Sequence, residues 1–171
     1  MTKSADLHLL DITQDLPMYT RQITTFIDQL QSEKKYFNLL PDAVLSARVH
    51  TIVAAFVNED LVGIAYLERK KLILRDFVIV KGNFQKMGLG KQLLQQLHAQ
   101  AKDTSHIILA LINAQNAPSL NLHTSLGYRI AGKRWDNIFY LFYPLTPLGS
   151  IFCYVFTKLL PVAFLIEKLC R

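Results

Sequence analysis

The stretch "VKGNFQKMGLGKQLLQQL", residues 80–97, joins an apolar segment to one in which leucine and glutamine recur at helical spacing. Residues 80–91 carry three glycines and three lysines: Gly82, Gly88, Gly90, Lys81, Lys86 and Lys91. A flexible loop at the start of a helix can turn backbone N–H groups toward an anion, and the helix dipole adds partial positive charge. The stretch therefore predicts a strand–loop–helix unit that binds a phosphate group, with an ordinary glycine-rich connection as the alternative.

Two familiar phosphate-binding motifs do not fit this loop. A P-loop would need Gly at position 85 and Ser or Thr at position 92, which hold Gln85 and Gln92. A dinucleotide-binding fingerprint would need a third glycine where Leu93 stands. The pattern that remains is Gln/Arg-x-x-Gly-x-Gly/Ala, and Gln85, Gly88 and Gly90 satisfy it.

The segments on either side of the loop predict an α/β chain with a mixed sheet. Strands are expected over residues 6–12, 50–57, 61–69, 72–80, 106–113, 128–135 and 138–145, and helices over residues 16–31, 41–49, 90–102 and 117–128. Residues 58–60 form the turn of a first hairpin, and Asp136 and Asn137 the turn of a second. The order βααβββαβαββ gives six or seven strands with helices on both faces.

The composition fits one globular domain. The chain has 171 residues, an apolar fraction of 51% and a net charge of +6, so it has enough apolar side chains for a core. The longest basic run, residues 69–71, is too short for a nucleic-acid-binding face. Cys153 and Cys170 show no disulfide or metal-ligand spacing, and residues 1–16 lack a secretion signal. We therefore expect a cytoplasmic protein without a metal site.

A second stretch, "NAQNAPSLNLHTSLGY", residues 113–128, gives the loop a context. Helical spacing places Asn116, Ser119 and His123 along one face, and Gly127, next to Tyr128, stops the helix at the end of this stretch. Together the two stretches resemble motifs A and B of the GNAT superfamily of acyl-CoA-dependent N-acetyltransferases. Motif B is usually Asn-x-x-Ala-x-x-x-Tyr-x-x-x-Gly-Phe. Here Ser119, His123 and Tyr128 replace Ala, Tyr and Phe, which is similar to the phosphinothricin acetyltransferase branch.

The resemblance covers residues 5 to 145 and implies a cofactor and its binding residues. It implies a GNAT N-acetyltransferase domain over residues 1–145, a C-terminal extension over residues 146–171, and acetyl-CoA as the cofactor. The backbone of one strand would pair with the pantetheine arm, and the loop would hold the pyrophosphate. The residues so implied are Val78, Ile79, Val80, Gln85, Lys86, Met87, Gly88, Leu89, Gly90, Lys91, Asn116 and Ser119. For Asn116, a plain helix N-cap is the alternative.

The implied reaction is transfer of an acetyl group from the CoA thioester to a primary amine by direct attack. A backbone amide near Val80 would stabilise the oxyanion, and His123 would protonate the leaving thiolate. Packing beside the cofactor, or a hydrogen bond to a backbone group, is the alternative for His123. Asp76 and Glu68 are the candidate general bases, with Tyr66 and His50 as further ones. A salt bridge between Asp76 and its neighbour Arg75 is the alternative, and an amine that enters neutral needs no base.

The extension is the part that the resemblance does not explain. Residues 148–166 are apolar enough for a hydrophobic helix, but Lys158 near its middle costs about 2.5–3.5 kcal/mol in a bilayer and Pro161 would kink it. Three interpretations stay open: packing on the domain or a second subunit, binding to a membrane surface, and spanning. Two further functions also stay open. One is acetylation of a protein or peptide, and the other is a catalytically silent CoA-binding regulatory module held at a membrane by this helix.

Overall fold

The computed structural model describes residues 6–32, 44–46, 48–70 and 73–169. These ranges contain the strands β1 (Leu7–Asp11), β2 (Val49–Val57), β3 (Asp60–Lys70), β4 (Ile73–Val80), β5 (Ile107–Asn113), β6 (Arg129–Lys133) and β7 (Ile138–Pro144). They also contain the helices α1 (Leu16–Ser32), α2 (Leu89–Ala101), α3 (Ala117–Ser125) and α4 (Pro147–Leu169), and a 3-10 turn over Gly82–Phe84.

The strands form one seven-stranded mixed sheet, which confirms the predicted fold class. Their order in the sheet is β1-β2-β3-β4-β5-β7-β6. β4 and β5 run parallel, whereas β1–β2, β2–β3, β5–β7 and β6–β7 are antiparallel pairs. Of the helix predicted over residues 41–49, residues 41–43 and 47 lie outside the described residues. The prediction is wrong for its last part, because residues 45 and 46 form a bend and Val49 belongs to β2.

The chain divides into two compact units, and the first contains Met1–Glu68 and Phe77–Gln100. In α1 the buried residues Ile23, Phe26, Ile27 and Leu30 follow helical spacing, so one face of this helix enters the core. That core includes Ile52 and Ile64 from the adjacent strands. The β2–β3 hairpin turns at Asn58 and Glu59, whose φ angles of 49° and 71° are those of a type I′ turn.

The second unit contains Arg69–Asp76 and Ala101–Arg171. Its core includes Ile107, Ala131, Phe142 and Cys153. α4 contributes Cys153, with Phe156 and Leu160 partly buried beside it, so packing within its own unit is the interpretation that the structure supports for this helix. No described helix combines the length and the apolarity needed to cross a bilayer. The boundary predicted at residue 145 stays a prediction.

The parallel ladder between β4 and β5 is short. Its register consists of Leu74 opposite Ile108 and Arg75 opposite Leu109. The ladder therefore ends one residue before Asp76, whereas β5 pairs with β7 over its whole length, from Ile107 opposite Pro144 to Asn113 opposite Ile138.

Candidate active site

The loop between β4 and α2 has the backbone conformation of an anion-binding turn. Lys86 and Gly88 have positive φ angles of 64° and 80°, and such alternation can direct successive N–H groups to one side of a turn. α2 begins at Leu89 and runs for 13 residues, and the first N–H groups of a helix have no intrahelical acceptor. Lys86 and Lys91 are both exposed. The loop thus offers backbone donors and positive charge at one helix terminus.

Two hydrogen bonds in this region join predicted cofactor-binding residues to one another. The Gln85 side-chain amide donates to the Val80 carbonyl at 3.0 Å, which ties the loop to the end of its strand. The Lys91 amide donates to the Gly88 carbonyl at 3.1 Å. The N–H groups that helix geometry leaves for a ligand are therefore those just before Lys91.

Helix α3 positions the second group of predicted residues. The Asn116 side chain accepts a hydrogen bond from the Ser119 amide at 3.1 Å, so Asn116 is the N-cap of this helix. One turn later, His123 Nδ1 lies 2.7 Å from the Ser119 carbonyl oxygen. Because a carbonyl oxygen only accepts, Nδ1 carries a proton and donates it to this bond. The other ring nitrogen, Nε2, is thereby left to interact outside the helix.

That nitrogen faces the carboxylate of Asp76. His123 Nε2 lies 3.6 Å from Asp76 Oδ2, and both side chains are almost fully buried. The Tyr128 hydroxyl donates a hydrogen bond to the same oxygen. The rings of His123 and Tyr128 meet edge to face, with centroids 4.9 Å apart. We call these three side chains the Asp76 cluster, and all three belong to the second unit.

One atom of the Asp76 cluster has no partner. Asp76 Oδ1 is buried and accepts no hydrogen bond from any residue that the structure describes. An unsatisfied buried carboxylate oxygen costs free energy. Such an oxygen is a suitable acceptor for an N–H or O–H group of a ligand.

The Asp76 cluster perturbs the pKa values of its members. Burial on its own would lower the pKa of His123, but the hydrogen bond and charge of Asp76, with the Ser119 carbonyl, outweigh burial and raise it. Burial raises the pKa of Tyr128 well above its ordinary value, and the Asp76 carboxylate raises it further. The geometry therefore stabilises an imidazolium next to a carboxylate and keeps the phenol protonated as a donor.

The raised pKa of His123 predicts how the stability of the protein depends on pH. A group with a higher pKa in the folded state contributes stability below its unfolded pKa of 6.5 and loses that contribution as pH rises through the folded value. The free energy of unfolding should therefore decline from pH 6.5 upward across this interval. Urea denaturation at a series of pH values measures it. His123→Gln should flatten this decline. Equal slopes of the unfolding free energy against pH in the wild type and the variant would contradict a raised pKa of His123.

The other sequence-predicted candidates lie in the first unit. Tyr66 is fully buried and stacks on Phe77 with ring centroids 4.6 Å apart. His50 interacts through Nδ1 with the Thr51 hydroxyl at 2.9 Å. Glu68 is half-buried near the end of β3. Tyr66 and His50 thus have clear structural roles.

Sequence reasoning missed Tyr128 as a member of the site. It was identified only as the aromatic residue that ends motif B, where the family usually has phenylalanine. The signal was present, because a tyrosine in place of phenylalanine adds one hydroxyl, and a buried hydroxyl needs a hydrogen-bond partner. Asp76 is the partner that the fold supplies.

Part of the chain is similar in sequence to known proteins. Residues 66–138, which include the loop and the Asp76 cluster, match the model of the FR47-like protein family. A segment of 83 residues is 34% identical to an L-methionine sulfoximine/L-methionine sulfone acetyltransferase of Pseudomonas paraeruginosa. That segment covers 43% of this chain and 48% of the relative, so the matched region spans about half the length of the relative.

Solved structures show the same fold over most of the chain. A GNAT-family acetyltransferase from Streptococcus pneumoniae superposes with a TM-score of 0.66 at 15% identity, covering 82% of this chain and 100% of the other. The putative acetyltransferase yncA of Salmonella typhimurium was solved with its cofactor acetyl-CoA. It superposes with a TM-score of 0.66 at 22% identity, covering 85% of this chain and 96% of the other.

The seven-stranded sheet and its superposition on these structures define a protein with the GNAT fold. Each of the two sequence matches extends over less than half of the chain: residues 66–138 for the family model and 83 residues for the acetyltransferase.

Proposed function

We propose that this protein is an acetyl-CoA-dependent N-acetyltransferase whose acceptor is the primary amine of a small, amino-acid-like molecule. The observation that carries the proposal is the Asp76 cluster, in which a buried carboxylate and a buried imidazole face each other. A module that only bound CoA would have no use for a buried, partly unsatisfied charge, which is costly to maintain. The name of the Pseudomonas relative supports the choice of acceptor.

The loop before α2 fits the pyrophosphate of CoA. Its two positive φ angles and the start of α2 supply backbone donors, and a Cβ built at Gly88 meets no atom within 4 Å. We assign the pyrophosphate to the amides between Lys86 and Lys91, and the pantetheine arm to the backbone of Val78, Ile79 and Val80. When bound, acetyl-CoA supplies the acetyl group as a thioester.

We assign proton transfer to the Asp76 cluster. His123 Nε2 donates a proton to the leaving sulfur, and Asp76 keeps the imidazolium charged until that step. Tyr128 holds Asp76 Oδ2 in place, so Oδ1 remains as the acceptor for the amine proton. Asp76 is therefore favoured over Glu68 as the general base, and an amide near Val80 is assigned to the oxyanion.

Thiol release from acetyl-CoA by the full chain tests the proposal. The acceptor panel contains L-methionine sulfoximine, L-methionine sulfone, a polyamine and a peptide with a free N-terminus. We expect release above the background rate with the two amino-acid analogues. Binding of acetyl-CoA by calorimetry without turnover on any acceptor would instead establish a silent CoA-binding module. Turnover confined to the peptide would establish a peptide acetyltransferase.

Substitution of Gly88 tests the loop. Gly88→Val places a β-branched residue at a φ of 80°, which costs about 1–2 kcal/mol and shifts the loop. We expect the dissociation constant for acetyl-CoA to rise about tenfold, the equivalent of about 1.4 kcal/mol. Glu59→Val is the matched control, because Glu59 has a φ of 71° in the β2–β3 turn of the same unit. Equal losses of affinity in both variants would refute a specific role for the loop.

A further inference from the structure

The outward side of α4 is apolar. Five large hydrophobic side chains on it are between 40% and 59% exposed: Leu148, Ile151, Phe152, Val155 and Leu159. At about 100° per residue these positions fall on one stripe of the helix. We call this stripe the outer face of α4. Scattered exposed hydrophobic residues are ordinary on a protein surface, but a continuous stripe on one helix marks a binding surface.

The inward side of the same helix is firmly packed, so the outer face is presented to the exterior. Cys153 is fully buried, and Phe156 stacks on Phe142 with ring centroids 5.0 Å apart. At Gly149 the helix approaches β5 so closely that an added Cβ would lie 1.9 Å from the His106 carbonyl oxygen. These contacts fix the rotation of α4 about its axis, and burying the outer face requires a partner from outside this unit.

The unit that carries the outer face has a positive net charge. The unit that carries α4 contains eleven Lys and Arg against four Asp and Glu, a net charge of +7. The first unit contains eight against nine, a net charge of −1. The sequence of α4 has two lysines, Lys158 and Lys168, and one acidic residue, Glu167. Lys158 is exposed beside the stripe, with Nζ 5.8 Å from the centre of the exposed Tyr154 ring.

We propose that the outer face of α4 binds the surface of an anionic lipid bilayer, with the helix lying in the plane of the interface. An apolar stripe with Lys158 beside it, on a unit of positive charge, suits such a surface, because the stripe enters the acyl boundary while the cation meets anionic headgroups. A second copy of the chain is disfavoured as the occupant. It would bring another unit of charge +7 against the first, and like charges oppose association.

Flotation of the full-length protein with lipid vesicles tests this proposal. We expect it to float with vesicles of phosphatidylcholine and phosphatidylglycerol, to float poorly with phosphatidylcholine alone, and to be released by added salt. One cationic side chain near an anionic surface corresponds to about fivefold in binding. Lys158→Glu should therefore weaken partitioning by at least about fivefold.

A double variant tests the apolar stripe itself. Ile151→Glu with Val155→Glu changes two exposed positions, so the fold should persist, and an unchanged thermal midpoint verifies this. We expect partitioning to fall at least about tenfold, since two apolar contacts are lost and two negative charges added. Met18→Glu is the matched control, because Met18 is a 79% exposed hydrophobic residue on α1, and it should retain binding.

Three results would overturn the proposal. The first is failure of the full-length chain to float with anionic vesicles, and the second is equal partitioning of the wild type and the double variant. The third is a dimer in analytical ultracentrifugation that the double variant dissociates, without any vesicle binding. None of these measurements depends on acetyl transfer, so they are independent of the proposed enzymatic function.

Discussion

Asp76→Asn is expected to lower kcat/KM for acetyl transfer by roughly 10²–10⁴-fold, the range of general acid–base contributions. The substitution preserves the shape of the side chain, and the Tyr128 hydroxyl can still donate to the amide oxygen. It removes the negative charge that raises the pKa of His123, and it replaces an acceptor oxygen on the buried carboxylate. Binding of acetyl-CoA by calorimetry should stay within about twofold, because the loop before α2 is unchanged.

The pH dependence of kcat/KM separates the two roles of Asp76. His123 must be protonated to act as an acid, so its lowered pKa in Asp76→Asn moves the basic limb to lower pH. Loss of the amine acceptor alters the acidic limb. An unchanged acidic limb excludes Asp76 as the base, and an unchanged basic limb excludes it as the partner of His123. Asp103→Asn, at an exposed carboxylate in the same unit, is the control and should leave both limbs unaltered.

The elements were predictable where one local signal dominates. The alternation of apolar residues located the strands, and the loop before α2 was found from Gly88, Gly90 and the lysines beside them. The β2–β3 turn was predicted over residues 58–60. It is tighter by one residue, because positive φ angles at Asn58 and Glu59 bring Asp60 into β3 opposite Val57. The backbone twist of a two-residue type I′ turn matches the twist of the two strands that it joins, so the strands pair up to the turn.

The Asp76 cluster could not be predicted as a unit. Sequence reasoning singled out Asp76 and His123 for separate reasons, strand alternation and the position of a family tyrosine. Their contact joins residues far apart in the chain, from β4 and α3. Such a contact depends on how far the strand lies from the helix. The residue pattern within either element does not predict that distance. Sequence reasoning gave Arg75 as the alternative partner of Asp76, because local reasoning provides only neighbours in sequence.

Gly149→Ala is expected to destabilise the folded protein by about 1–3 kcal/mol, although helix propensity alone predicts the opposite. In an exposed helix, replacing glycine with alanine stabilises by about 1 kcal/mol. Here the added Cβ would lie 1.9 Å from the His106 carbonyl oxygen and 2.9 Å from its carbon. Both are backbone atoms, so the start of α4 must move away from β5, and overpacking of this kind costs about 1–3 kcal/mol. Urea denaturation measures the change in the free energy of unfolding. Leu159→Ala, at a 59% exposed site on the same helix, is the control. We expect it to change this free energy by no more than about 0.5 kcal/mol. Stabilisation by Gly149→Ala would mean that α4 does not pack closely on β5, and the outer face would then lose its fixed orientation.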